Sequence, residues 1–145
     1  AQHMPDDVLE LLVAPLAVSL QPLHLPGDEP LIRKLLPERQ REAFRFADLV
    51  TTGIPVAFGS DAPVVPADAE AAVQTATTHR LSPDQSLTER QALCAFTRDA
   101  ARAAGWDDCG TIAPGQRADL TLWEAGHVVG RVFEGRLERF EPSQP

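Results

Sequence analysis

The stretch that decides the fold covers residues 54–61 and reads Ile-Pro-Val-Ala-Phe-Gly-Ser-Asp. It is apolar until its last two residues, which is typical of a strand that is buried on both faces and ends at a polar site. A second short apolar run, LAVSLQ, covers residues 16–21 and is stopped by Pro22. Between the two runs, residues 38–52 repeat apolar side chains at helical spacing. Strand, helix and strand in this order predict a parallel α/β unit.

The segments around this unit are interpreted from their prolines, glycines and charged residues. Residues 22–37 contain four prolines and a glycine, so we expect a long loop, of the kind that often shapes specificity. The arginines of residues 33–45 alternate with Glu38 and Glu42, which predicts a solvated helix face.

The second half of the chain predicts two helices and then a β-rich tail. The helices cover residues 69–79 and 87–104, and Thr88 with Gln91 fits a capping box at the start of the second one. The tail alternates apolar and polar residues around a two-residue turn, with strands expected at residues 119–123, 127–133 and 136–140.

Composition excludes some classes of function. With 43% hydrophobic and 23% charged residues in 145, the chain is expected to fold as a globular protein. Its net charge of −8 argues against a nucleic-acid partner, which requires a clustered cationic surface. Nothing in it is typical of a membrane span or a secretory leader, so we expect a cytoplasmic protein. Cys94 and Cys109 lack metal-site spacing and are expected to be reduced thiols.

Two strand ends carry the candidate functional residues. Functional side chains of parallel α/β units gather at the carboxyl ends of the strands. Asp61 ends an apolar strand, where a carboxylate loses hydration unless a metal, a cation or a proton-transfer role compensates. The alternative is that Ser60 and Asp61 cap the segment that follows. His24 follows the other strand, although a lone loop histidine is more often a surface residue, and His79 and His127 are weaker candidates.

Four motifs together resemble a known family. They are QPLH at residues 21–24, GIPVAFGSDAPV at 53–64, LT with QAL within 87–93, and GTIAPGQRADL at 110–120. In their order and spacing they resemble the carboxy-terminal part of amidohydrolase family 3, the YtcJ-like metal-dependent hydrolases. The resemblance covers nearly the whole chain.

The resemblance implies a fold and its division. Residues 1–109 are expected to form the last strands and helices of a TIM (β/α)₈ barrel, incomplete in this chain. Residues 110–145 are expected to form strands of a small β-sandwich.

It also implies a chemistry. Asp61 matches the family's aspartate at the end of the eighth strand, which binds metal and takes the proton of the attacking water. His24 matches the QPxH motif and is expected to bind substrate. The implied reaction is hydrolysis of a non-peptide, amide-type carbon-nitrogen bond in a small molecule by water activated on a divalent metal, with zinc expected.

Departures from the family pattern raise an alternative. A complete barrel takes about 250 residues, and the family's HxH pair, its later metal-binding histidines and its bridging lysine or acid are absent. The chain opens with AQH, which resembles the sequence just after one of those histidines, so we expect a fragment that is inactive alone and completed by the rest of the barrel or a partner chain. The alternative is an inactive remnant that acts as an interaction module or an obligate homo-oligomer, because barrel strands without neighbours expose apolar edges.

Overall fold

The computed structural model describes residues 2–13 and 16–140. Ala1, where the resemblance to the family begins, and residues 141–145, the end of the predicted β-rich unit, lie outside the described residues. The helices are α1 (Asp6–Leu9), α2 (Leu25–Leu35), α3 (Phe46–Thr51), α4 (Ala69–Thr77), α5 (Glu89–Phe96) and α6 (Arg98–Ala103). The strands are β1 (Val18–Leu20), β2 (Val56–Phe58), β3 (Leu120–Glu124), β4 (His127–Phe133) and β5 (Arg136–Arg139). Among the described helices, none has the length and apolar character that crossing a membrane requires.

The predicted parallel α/β unit is confirmed. Strands β1 and β2 pair in parallel, with Val18 opposite Val56 and Leu20 opposite Phe58. These four side chains are buried and belong to the hydrophobic core. The two strands therefore end at the same level of the sheet.

The predicted loop at residues 22–37 is wrong, because most of it is helical. A 3₁₀ turn over Pro22–His24 leads directly into α2. Pro26 lies in the first turn, where the missing amide proton has no intrahelical partner to lose. Pro30 removes one interior hydrogen bond on an exposed face. The burial of Leu25 and the packing of Ile32 against the core stabilise the helix despite that loss.

The predicted helix over residues 38–52 is interrupted. A 3₁₀ helix covers Pro37–Glu42, and α3 begins only at Phe46. Between them the backbone of Phe44 is left-handed, with a φ of 52°. The chain leaves the helical path there because its backbone pairs with the amino-terminal segment: the Met4 amide donates to the Glu42 carbonyl at 2.7 Å and the Phe44 amide to the Gln2 carbonyl at 2.8 Å.

The prediction of a solvated helix face over residues 33–45 is wrong at Arg45. Its guanidinium is only 7% exposed and binds the Asp48 carboxylate at 2.7 Å and the Asp6 carboxylate at 2.6 Å. It also donates to the Met4 carbonyl at 3.2 Å. A buried charge is tolerated when it is paired and hydrogen-bonded, and this one fastens the amino-terminal segment to α3.

The two remaining helical predictions hold, with one break. Helix α4 begins after Asp68, whose carboxylate accepts from the Ala71 amide. The capping box of Thr88 and Gln91 is present at the start of α5. The second predicted helix divides at Thr97, whose φ and ψ of −118° and −91° are not helical.

The β-rich tail is confirmed as an antiparallel sheet in the order β3-β4-β5. Two carboxylates attach it to the helices. Glu89 of α5 accepts from the Trp123 indole at 2.9 Å, and Glu70 of α4 accepts from the Val128 amide and contacts the His127 ring. Cys94 and Cys109 are free thiols in the structure.

An aromatic cluster forms the centre of the core. Phe46 is fully buried and makes edge contacts with Phe44, Phe58 and His79, at centroid distances of 6.0, 5.4 and 5.1 Å. The His79 ring is buried as well: its Nδ1 accepts from the Ser82 amide at 3.0 Å, so its Nε2 proton is donated to the Phe44 carbonyl, also at 3.0 Å. His79 is thus a core residue that holds the left-handed residue Phe44.

Phe46→Ala is expected to lower the free energy of unfolding by about 3–5 kcal/mol, because it leaves a cavity where three rings meet. Urea denaturation followed by circular dichroism measures this. The matched control is Phe133→Ala, which truncates a ring that is 53% exposed and should cost less than about 1 kcal/mol. Equal losses in the two variants would contradict the role of Phe46 at the centre of the core.

The stability of the chain is expected to fall as the pH drops below about 6.5. Burial lowers the pKa of His79 from 6.5, against the opposing effect of its hydrogen bond to the Phe44 carbonyl. The unfolded chain therefore binds a proton more readily than the folded one, and acid favours unfolding.

Urea midpoints at pH values above and below 6.5 check this expectation. His79→Gln should flatten the dependence of stability on pH, because it removes the buried ring that resists protonation. An unchanged dependence in the His79 variant would show that another group is responsible.

Candidate functional site

The candidate site lies at the carboxyl edge of the parallel pair. Strand β1 runs into the 3₁₀ turn that ends at His24, and β2 runs into Gly59, Ser60 and Asp61. The Gly59 amide donates to the Leu20 carbonyl at 3.0 Å, so the ladder continues to the first residue after β2. Because both strands point the same way, their trailing segments meet at this edge.

His24 and Asp61 face each other across this edge. His24 Nε2 is 3.4 Å from Asp61 Oδ2, and the two side chains are 15% and 54% exposed. The structure thus brings together the two residues that the sequence singled out. The imidazole is mostly enclosed, whereas the carboxylate is open to the space beyond the strand ends.

The backbone of Asp61 is unusual. Its φ of 60° lies in the left-handed region, which aspartate adopts more often than most residues. The following turn is closed by the Val64 amide, which donates to the Asp61 carbonyl at 2.9 Å. Ser60 Oγ accepts from the Ala62 amide at 3.2 Å.

Among the described residues, the capping alternative is found for Ser60, whose Oγ accepts from the Ala62 amide, and not for the Asp61 carboxylate. The next helix, α4, begins eight residues later and is capped by Asp68. Within residues 2–13 and 16–140, the partner found for the Asp61 carboxylate is His24, and no lysine or arginine pairs with it. Its side chain is therefore available for a ligand.

The other histidines have other partners in the structure. His3 contacts Glu42 at 3.4 Å, His79 is part of the core, and His127 contacts Glu70 on the surface of the β-rich tail. Sequence reasoning rated His79 and His127 below His24, and the structure places neither of them at the strand ends.

One residue at the edge was missed. Gln2 Nε2 lies 2.8 Å from His24 Nδ1, on the side of the ring opposite Asp61. Nothing in the sequence around Gln2 indicates a place at this edge, because its contact with His24 depends on the pairing of residues 2–4 with residues 42–44.

The residues at this edge supply only part of the ligand set that a metal ion needs. A carboxylate oxygen is an accepted ligand for divalent metals, and Asp61 presents one. In the part of the chain that the structure describes, however, no group of three or more histidine, cysteine, aspartate or glutamate side chains is placed to hold a metal ion. Asp61 can contribute one ligand to a site whose remaining ligands are other residues.

Comparison with known proteins assigns the family. The sequence profile of the amidohydrolase family matches residues 4–143. The chain belongs to the amidohydrolase family. The recognition from sequence motifs is confirmed, and this match includes both Asp61 and His24.

Individual relatives agree with this assignment. The amidohydrolase chain is 31% identical over 134 residues to YtcJ of Bacillus subtilis strain 168, which is 84% of this chain and 25% of that protein. It is 58% identical over 41 residues to the imidazolonepropionase of Ruegeria pomeroyi, which is 28% of this chain and 10% of the relative. The chain therefore spans a quarter or less of the length of these curated relatives.

Solved structures show the same architecture. An uncharacterized metal-dependent hydrolase from Pyrococcus horikoshii OT3 superposes with a TM-score of 0.76 at 29% identity, over 81% of this amidohydrolase chain and 26% of that one. A second, from Pyrococcus furiosus, gives 0.75 at 25% identity, over 81% and 25%. The mixed α/β fold thus resembles that of metal-dependent hydrolases.

Proposed function

We propose that this chain supplies the catalytic aspartate of a metal-dependent amidohydrolase that cleaves an amide-type carbon-nitrogen bond in a small molecule. One observation carries the proposal: in a member of this family, the half-exposed carboxylate of Asp61 stands at the end of a buried parallel strand and faces the enclosed ring of His24 at 3.4 Å.

Asp61 is assigned two tasks, as a metal ligand and as the base. When bound, a divalent metal lowers the pKa of a bound water and polarises a substrate carbonyl. The Asp61 carboxylate is open and has no cationic partner among the described residues, so one oxygen can face a cation while the carboxylate accepts the proton of the attacking water. We propose zinc as the metal, with its other ligands outside this chain.

His24 is assigned to the substrate. Its ring is largely enclosed, and its Nε2 faces the space beside Asp61 without a hydrogen-bond partner among the described atoms. A buried polar atom of this kind is expected to be satisfied when a ligand binds. An oxygen or nitrogen of the substrate is the partner we propose.

The rest of the active site is proposed to come from the remaining strands of a (β/α)₈ barrel. Strands β1 and β2 would be its last two strands within residues 1–109, and residues 110–145 would belong to the small β-sandwich. The parallel pairing and the position of the candidate site at the carboxyl ends of the strands support this arrangement.

The nature of the bond is inferred from the relatives. One is named imidazolonepropionase, and an imidazolone ring contains a cyclic amide. Two structural neighbours are described as metal-dependent hydrolases. These names support an amide-type bond without selecting one substrate.

Asp61→Asn is expected to lower kcat by about 10²–10⁴, because it removes the base, and to lower the bound metal. The protein is purified from its native source organism with the variant introduced, and is assayed against a panel of linear amides, cyclic amides and ureas, with metal content measured by mass spectrometry. The control is Asp68→Asn, which removes one charge from a helix cap that asparagine also forms. A wild-type rate in the Asp61 variant would overturn the proposal.

The 145-residue chain by itself is expected to bind zinc weakly, because the described residues offer no closed set of three ligands. Calorimetric titration with zinc chloride measures this. Tight binding of one equivalent would mean that this chain carries a complete site and that its ligands have been assigned wrongly.

A further inference from the structure

The contact between Gln2 and His24 is the observation from which the proton position on the His24 ring is inferred. The Gln2 amide nitrogen lies 2.8 Å from His24 Nδ1. An amide NH₂ group can only donate a hydrogen bond, so Nδ1 must accept with its lone pair. In a neutral imidazole the single proton then lies on Nε2.

The other ring nitrogen, Nε2, faces the candidate site. His24 Nε2 has no hydrogen-bond partner among the described atoms, although it is shielded from solvent. Its nearest charged neighbour, Asp61 Oδ2, is 3.4 Å away, which is beyond the usual 2.7–3.2 Å range of such bonds. The N–H group therefore remains available to an oxygen that enters beside Asp61.

Gln2 is held in place by the backbone around it. Its carbonyl accepts from the Phe44 amide at 2.8 Å, and His3 forms a bridge with Ala43. The left-handed conformation of Phe44 is in turn held by the hydrogen bond from the buried His79 ring. The Gln2 side chain thus extends from an anchored segment rather than from a loose end.

We propose that Gln2 is a positioning residue that fixes His24 as the Nε2–H tautomer, so that His24 donates a hydrogen bond to a carbonyl oxygen of the substrate and does not ligate a metal. A nitrogen that carries a proton has no lone pair for a metal. The functional meaning of this assignment rests on the proposed amidohydrolase activity, whereas the tautomer itself can be measured without metal or substrate.

The test is a long-range ¹H–¹⁵N correlation spectrum of the histidine rings in the 145-residue chain. It is recorded at about pH 8, well above the ordinary histidine pKa of about 6.5. The wild-type spectrum should show His24 as the Nε2–H form. His24→Gln assigns the signal, and the exposed His127 serves as a reference ring.

Gln2→Glu is expected to remove the neutral Nε2–H form. A carboxylate at this position can only accept, so Nδ1 should carry a proton and the pattern of a neutral Nε2–H ring should be lost for His24. Gln21→Glu is the matched control: it adds the same charge at the same edge, but Gln21 bonds to Ser19 and not to His24, so the His24 tautomer should not change.

Two results would overturn the proposal. One is an Nδ1–H ring in the wild-type chain, which would mean that the Gln2 amide presents its oxygen to the ring. The other is a neutral Nε2–H ring in Gln2→Glu, as in the wild type. Because none of these spectra requires activity, failure here is distinguishable from a failure of the Asp61 experiment.

Discussion

The arrangement of the candidate site depends on the parallel pairing of β1 with β2. The register that places Leu20 opposite Phe58 ends the two strands at one level, and the segments that follow bring His24 and Asp61 within 3.4 Å of each other. A slip of one residue would turn buried side chains of either strand toward the opposite face. The burial of these side chains in the core therefore also aligns the two candidate residues.

A second set of contacts connects the amino-terminal segment to this pair of strands. The interrupted helix at residues 43–45 gives residues 2–4 a backbone partner, and Arg45 fastens the same region through two carboxylates. His79 holds the left-handed Phe44 from the core side. These buried polar groups carry no chemistry in the proposed reaction, but they place Gln2 against the His24 ring.

The sequence predicted the elements whose pattern is local. Apolar runs, a capping box and a two-residue turn are each contained in a few neighbouring residues, which explains why both parallel strands, the start of α5 and the β-rich tail were predicted correctly. Predictions from the sequence were wrong where contacts between distant residues outweigh the local preference for a helix, loop or strand. Helix α2 forms despite Pro30 because Leu25 and Ile32 pack on the core. Arg45 is buried because two of its partners, Met4 and Asp6, come from a segment about forty residues away in the chain.

The same distinction between local patterns and long-range contacts applies to the candidate site. Asp61 could be singled out from its position after an apolar strand, because that signal lies within a few consecutive residues. The family was recognised from four motifs in their order along the chain, which can be read without any tertiary contact. The sequence by itself thus determined the mixed α/β class and the family, and it singled out the carboxylate that we propose as catalytic. Only the tertiary structure decided that Asp61 caps no helix, that His24 is its neighbour and that Gln2 contacts the His24 ring. Those relations join residues that are 22 and 37 positions apart, and such distances are set by packing rather than by local sequence.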